Sequence, residues 1–236
     1  MPNKPLVIAI DGPAASGKST TARIVAQRLG YTYIDTGAMY RAATLAVLRS
    51  GIDPHDSPAV EQLAAGLSIR LERLPDASLK VYLNDEDVST EIRLPEVTSL
   101  VSLVSSYPGV RGPIVDQQKR MGQQGGVVLD GRDIGTVVFP DADVKVFMVA
   151  DITARAERRR EELHRMGTDV SVEGLASDLA ERDRLDSTRE TSPLTRADDA
   201  IEIDTSLLSI EQQVERVLEI AEEVKSQKSK VKKEEG

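Results

Sequence analysis

The sequence predicts an α/β fold in which a parallel sheet is flanked by helices, with a small inserted β-containing unit and a helical lid. Three observations predict it. Short aliphatic runs alternate with helical patterns, as strand–helix–strand units do. Aromatic residues make up only 3% of the 236 residues and Trp is absent, so the core must be aliphatic, as buried parallel strands are. A glycine-rich turn separates the first aliphatic run from the first helical pattern.

Taken in order, Leu6–Ile10 is a buried strand between Pro5 and Asp11-Gly12-Pro13. Gly17 to Leu29 is a helix, stopped by Gly30. Tyr31 to Asp35 is a second strand, and Gly37 to Arg49 an Ala-, Leu- and Met-rich helix. The pattern then changes. Val60 to Leu67 is helical, but Leu67 to Leu74 and Leu79 to Asn84 alternate polar and apolar residues around a turn at Pro75–Ser78, which describes a half-exposed hairpin. Pro95 to Ser105 and Pro108 to Gln124 are helices with proline in the first turn. Val127–Asp130 and Val144–Val149 return to buried strands. Ile152 to Met166 is a strongly basic helix, Val172 to Asp186 another helix, Ala200 to Ile203 a last strand and Ile210 to Val224 a last helix. The expected organisation is a core of residues 1–56 and 105–224, with a lid at about 152–168, an insert at 57–104, and a disordered charged tail at 225–236.

Composition narrows the function. A formal net charge of −9 argues against holding nucleic acid by its backbone. The absence of cysteine excludes disulfides, thiolate metal sites and thiol nucleophiles, and fits a reducing cytoplasm. No run of about 18 apolar residues is present to span a membrane, and the N-terminal apolar stretch is too short for a secretory signal. His55 and His164 are far apart and without partners in sequence, so a histidine metal site is not expected. No long apolar stripe marks a subunit interface, and the expectation is a monomer.

Gly12-Pro-Ala-Ala-Ser-Gly17-Lys18-Ser19 fits G-x-x-x-x-G-K-[ST], after a strand and opening a helix. Its glycines let the backbone curl with N–H groups inward, and the helix N-terminus adds partial positive charge. Lys18 is placed to reach the β- and γ-phosphates of a nucleotide, and the Ser19 hydroxyl to ligate Mg²⁺. Asp130 ends a strand as a metal-ordering carboxylate would, acting through bound water. A GTPase switch would need Asn-Lys-x-Asp after a late strand, but Asn3-Lys4 precedes the first strand. A small-molecule kinase remains, with a nucleotide-gated binding module as its rival from another class. Such a kinase needs arginines for two phosphate-bearing substrates. They lie at Arg41, Arg111, Arg132, along the basic helix at Arg155 and Arg158–Arg160, and at Arg182 and Arg189.

The set DGPAASGKST, DTGAMYR, DGRDIGTVVFPDA and ERDRLDSTR, in this order, resembles the bacterial cytidylate kinases over roughly residues 6 to 220. The resemblance implies transfer of the γ-phosphoryl group of ATP to CMP or dCMP. Another acceptor such as UMP is the alternative. It implies that Gly12, Pro13, Ala14, Ala15, Ser16, Gly17, Lys18, Ser19 and Thr20 hold ATP, with Arg155 and Arg159 closing over it. Arg41, Arg132 and Arg189 would hold the acceptor phosphate, with Thr36 and Tyr40 nearby, and Lys18, Arg132, Arg159 and Arg189 would serve the chemical step. Ser102, Arg111 and Asp133 would read cytosine, and Arg182 and Asp186 would hold the ribose. A carboxylate suits cytosine because it accepts from the exocyclic amine and repels a uracil carbonyl. Singly, the positions have plainer readings. Arg158 and Arg160 fit a solvated helix face beside Glu157 and Glu161, Arg182 and Asp186 a surface i, i+4 pair, Tyr40 simple packing, and Asp35 and Asp133 turn or cap residues.

Overall fold

The computed structural model describes residues 5–74, 79–165 and 167–234, so the expected hairpin turn at 75–78 lies outside the described residues. The strands are β1 (Val7–Asp11), β2 (Thr32–Asp35), β3 (Ile69–Arg73), β4 (Leu79–Leu83), β5 (Glu86–Asp87), β6 (Val127–Gly131), β7 (Val144–Val149) and β8 (Ile201–Asp204). The helices are α1 (Lys18–Leu29), α2 (Thr36–Ser50), α3 (Ser57–Ala64), α4 (Pro95–Val104), α5 (Pro108–Gly122), α6 (Ile152–Arg165), α7 (Val172–Thr188) and α8 (Ile210–Glu234).

A five-stranded parallel sheet runs β2-β6-β1-β7-β8. The aliphatic runs fill both faces. Ile8, Ile10, Val146 and Met148 meet Val25 of α1 and Val214 and Val217 of α8 on one side. Ala9, Leu129 and Ile34 meet Val115 of α5 and Ile134 on the other. With β1 central and the chain leaving it in both directions, the carboxyl ends of β1, β2 and β6 open onto the crevice where ligands gather in such sheets. Asp11, Asp35 and Asp130 stand at those ends.

The alternating tract forms an antiparallel sheet β3-β4-β5. Ile69, Val81 and Leu83 are buried, and their core continues through α2, α3, α4 and α5. The expected insert at 57–104 is therefore built onto α2 and α5 and shares one apolar cluster with them, although sequence pattern sets it apart. Asp35 fixes the start of α2 by accepting Ala38 N–H at 2.9 Å.

Two features go beyond the sequence pattern or against it. Residues 134–138 form a π-helical turn. Residues 225–234, expected to be disordered, continue α8. Two lysines tie this extension to the body: Lys225 lies 5.3 Å from the centroid of the Tyr31 ring, and Lys228 pairs with Asp143. Among the described residues, no helix is long and apolar enough to cross a membrane.

Candidate active site

The loop from Gly12 to Ser19 curls as its motif requires. Gly12 has φ 150°, Ala15 φ 58° and Gly17 φ 95°. A Cβ on Gly12 would fall 2.2 Å from the Met148 carbonyl oxygen, so only glycine lets β7 pass behind the loop. Lys18 is buried and its Nζ donates to Pro13 O at 2.8 Å across the curl. Burial and the neighbouring Arg132 guanidinium push its ammonium down to about 7.

The loop has side-chain buttresses that the sequence did not advertise. The Thr205 hydroxyl donates to Ser16 O at 2.8 Å, and Arg158 donates to Thr205 O and, at 3.4 Å, to Ser16 O. Arg158 is thus a strut between α6, the loop and the end of β8, which corrects its expected place on a solvated face. Arg160 is exposed, as that reading had it. Arg155 also differs from its expected place as a closing residue. It is buried, pairs with Asp183 at 2.6 Å and donates to Ala14 O at 3.2 Å, so it is held under the loop. Arg159 is half-buried, pairs with Glu162 at 2.7 Å, and lines the cleft.

Beside the loop, Asp130 accepts from the Ser19 hydroxyl at 2.5 Å and from the Tyr33 hydroxyl at 2.7 Å. Asp35 is its register partner on β2. Burial and the Asp130 charge push the Asp35 carboxyl up to about 6. Asp35 therefore both caps α2 and faces the cleft. Thr36 donates to Asp130 O at 2.6 Å and is buried, which fixes α2 against β6.

The cleft has a volume of about 950 Å³. Lys18, Arg41, Arg132, Arg159 and Arg182 all line it. Arg41 donates to Thr98 Oγ1 at 2.8 Å, and Arg132 pairs with Asp186 at 2.8 Å. Burial, with Arg132 and Arg41 close by, pushes Arg182 down to about 9. Burial pushes Arg41 down to about 10, with Arg159, Arg93 and Arg132 adding repulsion. Both remain cations at neutral pH, and they confront each other across a space that a polyanion would neutralise. Burial raises the Asp186 carboxyl, but Arg132 and Arg182 outweigh it and hold it below the usual range. Arg182 and Asp186 are therefore not the surface pair their spacing allows.

A second cluster lies behind the cleft. Arg111 and Asp133 form an ion pair with both side chains almost fully buried. Arg111 also donates to Ser105 O at 3.1 Å and sits 5.0 Å from the centroid of the Tyr40 ring. Ser102 is buried one turn before Ser105, whose hydroxyl donates to Ser102 O at 3.2 Å. Arg189 donates to Ser192 O at 2.7 Å and is close enough to feel Arg111, Asp133 and Asp186. Gln118 lies within hydrogen-bonding reach of the Tyr40 hydroxyl, and two polar atoms here are buried without a protein partner, Arg111 Nε and Arg189 Nη2. Buried polar atoms are nearly always satisfied, so such a set marks a place for a polar ligand. Gln118 falls two helical turns after Arg111 on the same face of α5, a spacing that could have identified it.

The sequence-predicted residues therefore form two adjoining groups. Lys18, Ser19, Arg41, Asp130, Arg132, Arg159 and Arg182 face one cleft. Thr36, Tyr40, Ser102, Arg111, Asp133, Asp186 and Arg189 are packed behind or beside it. Arg93, which lines the cleft, was missed because it belongs to no local motif, and Asp11, treated below, because its motif assigns it no role.

A glycine-rich phosphate loop at the head of a parallel sheet, opposite converging arginines, defines a P-loop phosphotransferase. The family model for cytidylate kinase matches residues 8–223, and the chain belongs to that family of nucleoside monophosphate kinases. The cytidylate kinase of Bacillus velezensis is 51% identical over 221 residues, covering 94% of this chain and 98% of that protein. That of Geobacillus kaustophilus is 51% identical over 216 residues, covering 92% and 96%. Among solved structures, a gluconokinase from Sinorhizobium meliloti aligns over 96% of this chain and 98% of its own, at 15% identity and a TM-score of 0.48.

Proposed function

We propose that this enzyme transfers the γ-phosphoryl group of ATP to CMP, and to dCMP, giving ADP and the cytidine diphosphate. The observation that carries the proposal is the pairing of two anion seats: the Gly12–Ser19 curl with Lys18, and the arginines that face it, backed by the buried Arg111–Asp133 pair.

In this mechanism the loop N–H groups and Lys18 hold the β- and γ-phosphates, and Arg159 closes from α6. Arg41, Arg132 and Arg189 hold the CMP phosphate, with Tyr40 at its side. Arg182 and Asp186 hold the ribose. Asp133 accepts from the cytosine amine, while Arg111 and Ser102 complete the base seat. A CMP phosphate oxygen, already ionised, attacks the γ-phosphorus in line. The bond to the β–γ bridging oxygen breaks and ADP leaves, so no general base is needed. Positioning and neutralisation of charge by Lys18 and the arginines carry the rate.

The oxygen donors at the foot of the loop fit Mg²⁺. Ser19 Oγ and Asp130 adjoin, Asp35 stands in register with Asp130, and among the described residues no three acidic or histidine side chains form a cage. Such a set suits an ion that keeps waters and shares substrate phosphates. Mg²⁺ on Ser19, with waters ordered by Asp130 and Asp35, would neutralise charge developing on the β- and γ-phosphates.

The test is a coupled ADP-release assay across CMP, dCMP, UMP and AMP. The expected result is fast turnover with CMP and dCMP, weak turnover with UMP and little with AMP. A preference for UMP would reassign the acceptor, and ADP release independent of any acceptor would remove the kinase reading.

A further inference from the structure

Asp11 ends β1, one residue before the phosphate loop, and is 5% exposed. One carboxylate oxygen accepts Ile134 N–H at 2.9 Å and the other accepts Gly135 N–H at 2.8 Å. These amides immediately follow Arg132 and Asp133. They also open the π-helical turn, in which Val137 N–H and Val138 N–H both return to Asp133 O, at 2.9 and 3.2 Å. The first N–H groups of any helical turn lack a partner within it. Asp11 supplies one oxygen to each.

We propose that Asp11 is a positioning residue that locks the acceptor-reading turn, through Ile134 and Gly135, to the root of the phosphate loop. The two seats are then held in one register. A π-turn is an uncommon conformation that persists where its surroundings determine it. Here the determining contact comes from the strand that carries the donor loop. The carboxylate is kept at a cost, because burial pushes it up to about 7 even though both amides pull the other way. Asp133 on the same turn raises it further and Lys18 of α1 lowers it. The proposal rests on the assignment of Asp133 to the base.

The experiment uses the full chain with Asp11→Asn, which keeps the shape but sets an amide NH₂ against a backbone N–H. With ATP saturating, KM for CMP is expected to rise about tenfold, and the CMP:UMP ratio of kcat/KM to fall by a similar factor. KM for ATP is expected to stay within about twofold. A rise in KM for ATP with an unchanged CMP:UMP ratio would make Asp11 a support of the phosphate loop only and overturn the proposal. So would unchanged kinetics for both substrates. Should Asp11→Asn fold poorly, Asp11→Ser removes the charge and one acceptor from the same pair of amides and is expected to shift the same parameters. Amide exchange at Ile134 and Gly135 should accelerate in either variant, and unaltered exchange contradicts the lock. A wild-type enzyme inactive on CMP would instead refute the acceptor assignment, so the two failures are distinct.

Discussion

Lys18 carries the clearest electrostatic signature at the residue scale. Its ammonium is buried beside Arg132, and the two together press it to about 7 against an ordinary 10.5. The unfolded chain therefore holds one more proton than the folded protein between about pH 7 and 10.5, and stability must rise with pH through that window. The slope is at most about 1.4 kcal/mol per pH unit from one group. Urea unfolding of the ligand-free enzyme is expected to show this rise, and Lys18→Met to flatten it. Equal pH slopes in both proteins would mean that Lys18 is charged and solvated in the folded state. The same variant should lose turnover severely, because Met fills the space without the charge. The phosphate motif, Lys18 and the strand-end Asp130 were all legible in sequence, since a local backbone pattern dictates them. Arg158 and Asp11 were not. Their partners, Ser16 and Thr205 for one and Ile134 and Gly135 for the other, lie far along the chain and are met only through folding.

Among the elements, α6 and α7 form a hairpin that is packed on the loop as well as placed to cover it. Ala14 of the loop joins Ala156, Leu175 and Leu179 in one apolar cluster. Arg155 and Arg158 reach from α6 to loop carbonyls, and Arg158 and Arg159 both line the cleft. One helix thus both supports the loop and lines the cleft, which a reading of charge alone merges into a single basic run. Arg158→Ala should raise KM for ATP by about 3- to 30-fold, the worth of a strained loop losing charge-assisted hydrogen bonds. The CMP:UMP preference should stay unchanged, because the base seat is built on α4, α5 and the turn after β6. Steady-state titrations of both substrates check this, and an effect confined to CMP would contradict the strut. The element pattern itself was largely legible, because aliphatic runs and caps mark strands and helices locally. The two-residue strand β5 was not, since Glu86 and Asp87 are exposed and no hydrophobic pattern announces them. The continuation of α8 was missed for a similar reason. Its lysines read as solvated charge until Tyr31 and Asp143 are brought beside them.

Across the whole molecule, a chain of net charge −9 still lines one crevice with Lys18 and a group of arginines. One wall is the sheet and phosphate loop. The other is the unit that grows from α2 through α5 around a separate apolar cluster. Asp130 and Asp35 sit at the seam, as do the paired Arg132 and Asp186. A triphosphate and a monophosphate must occupy this crevice together, end to end, and the most direct measurement is equilibrium binding of a single molecule that spans both seats. Adenosine joined to cytidine through five phosphates has that form. Calorimetry should find it bound at least about a hundredfold more tightly than ATP or CMP alone, because one association fills two facing sites. The adenosine–uridine counterpart should bind less tightly. Affinity no greater than that of ATP, for the cytidine compound, would show that the two seats do not face each other and would contradict the account.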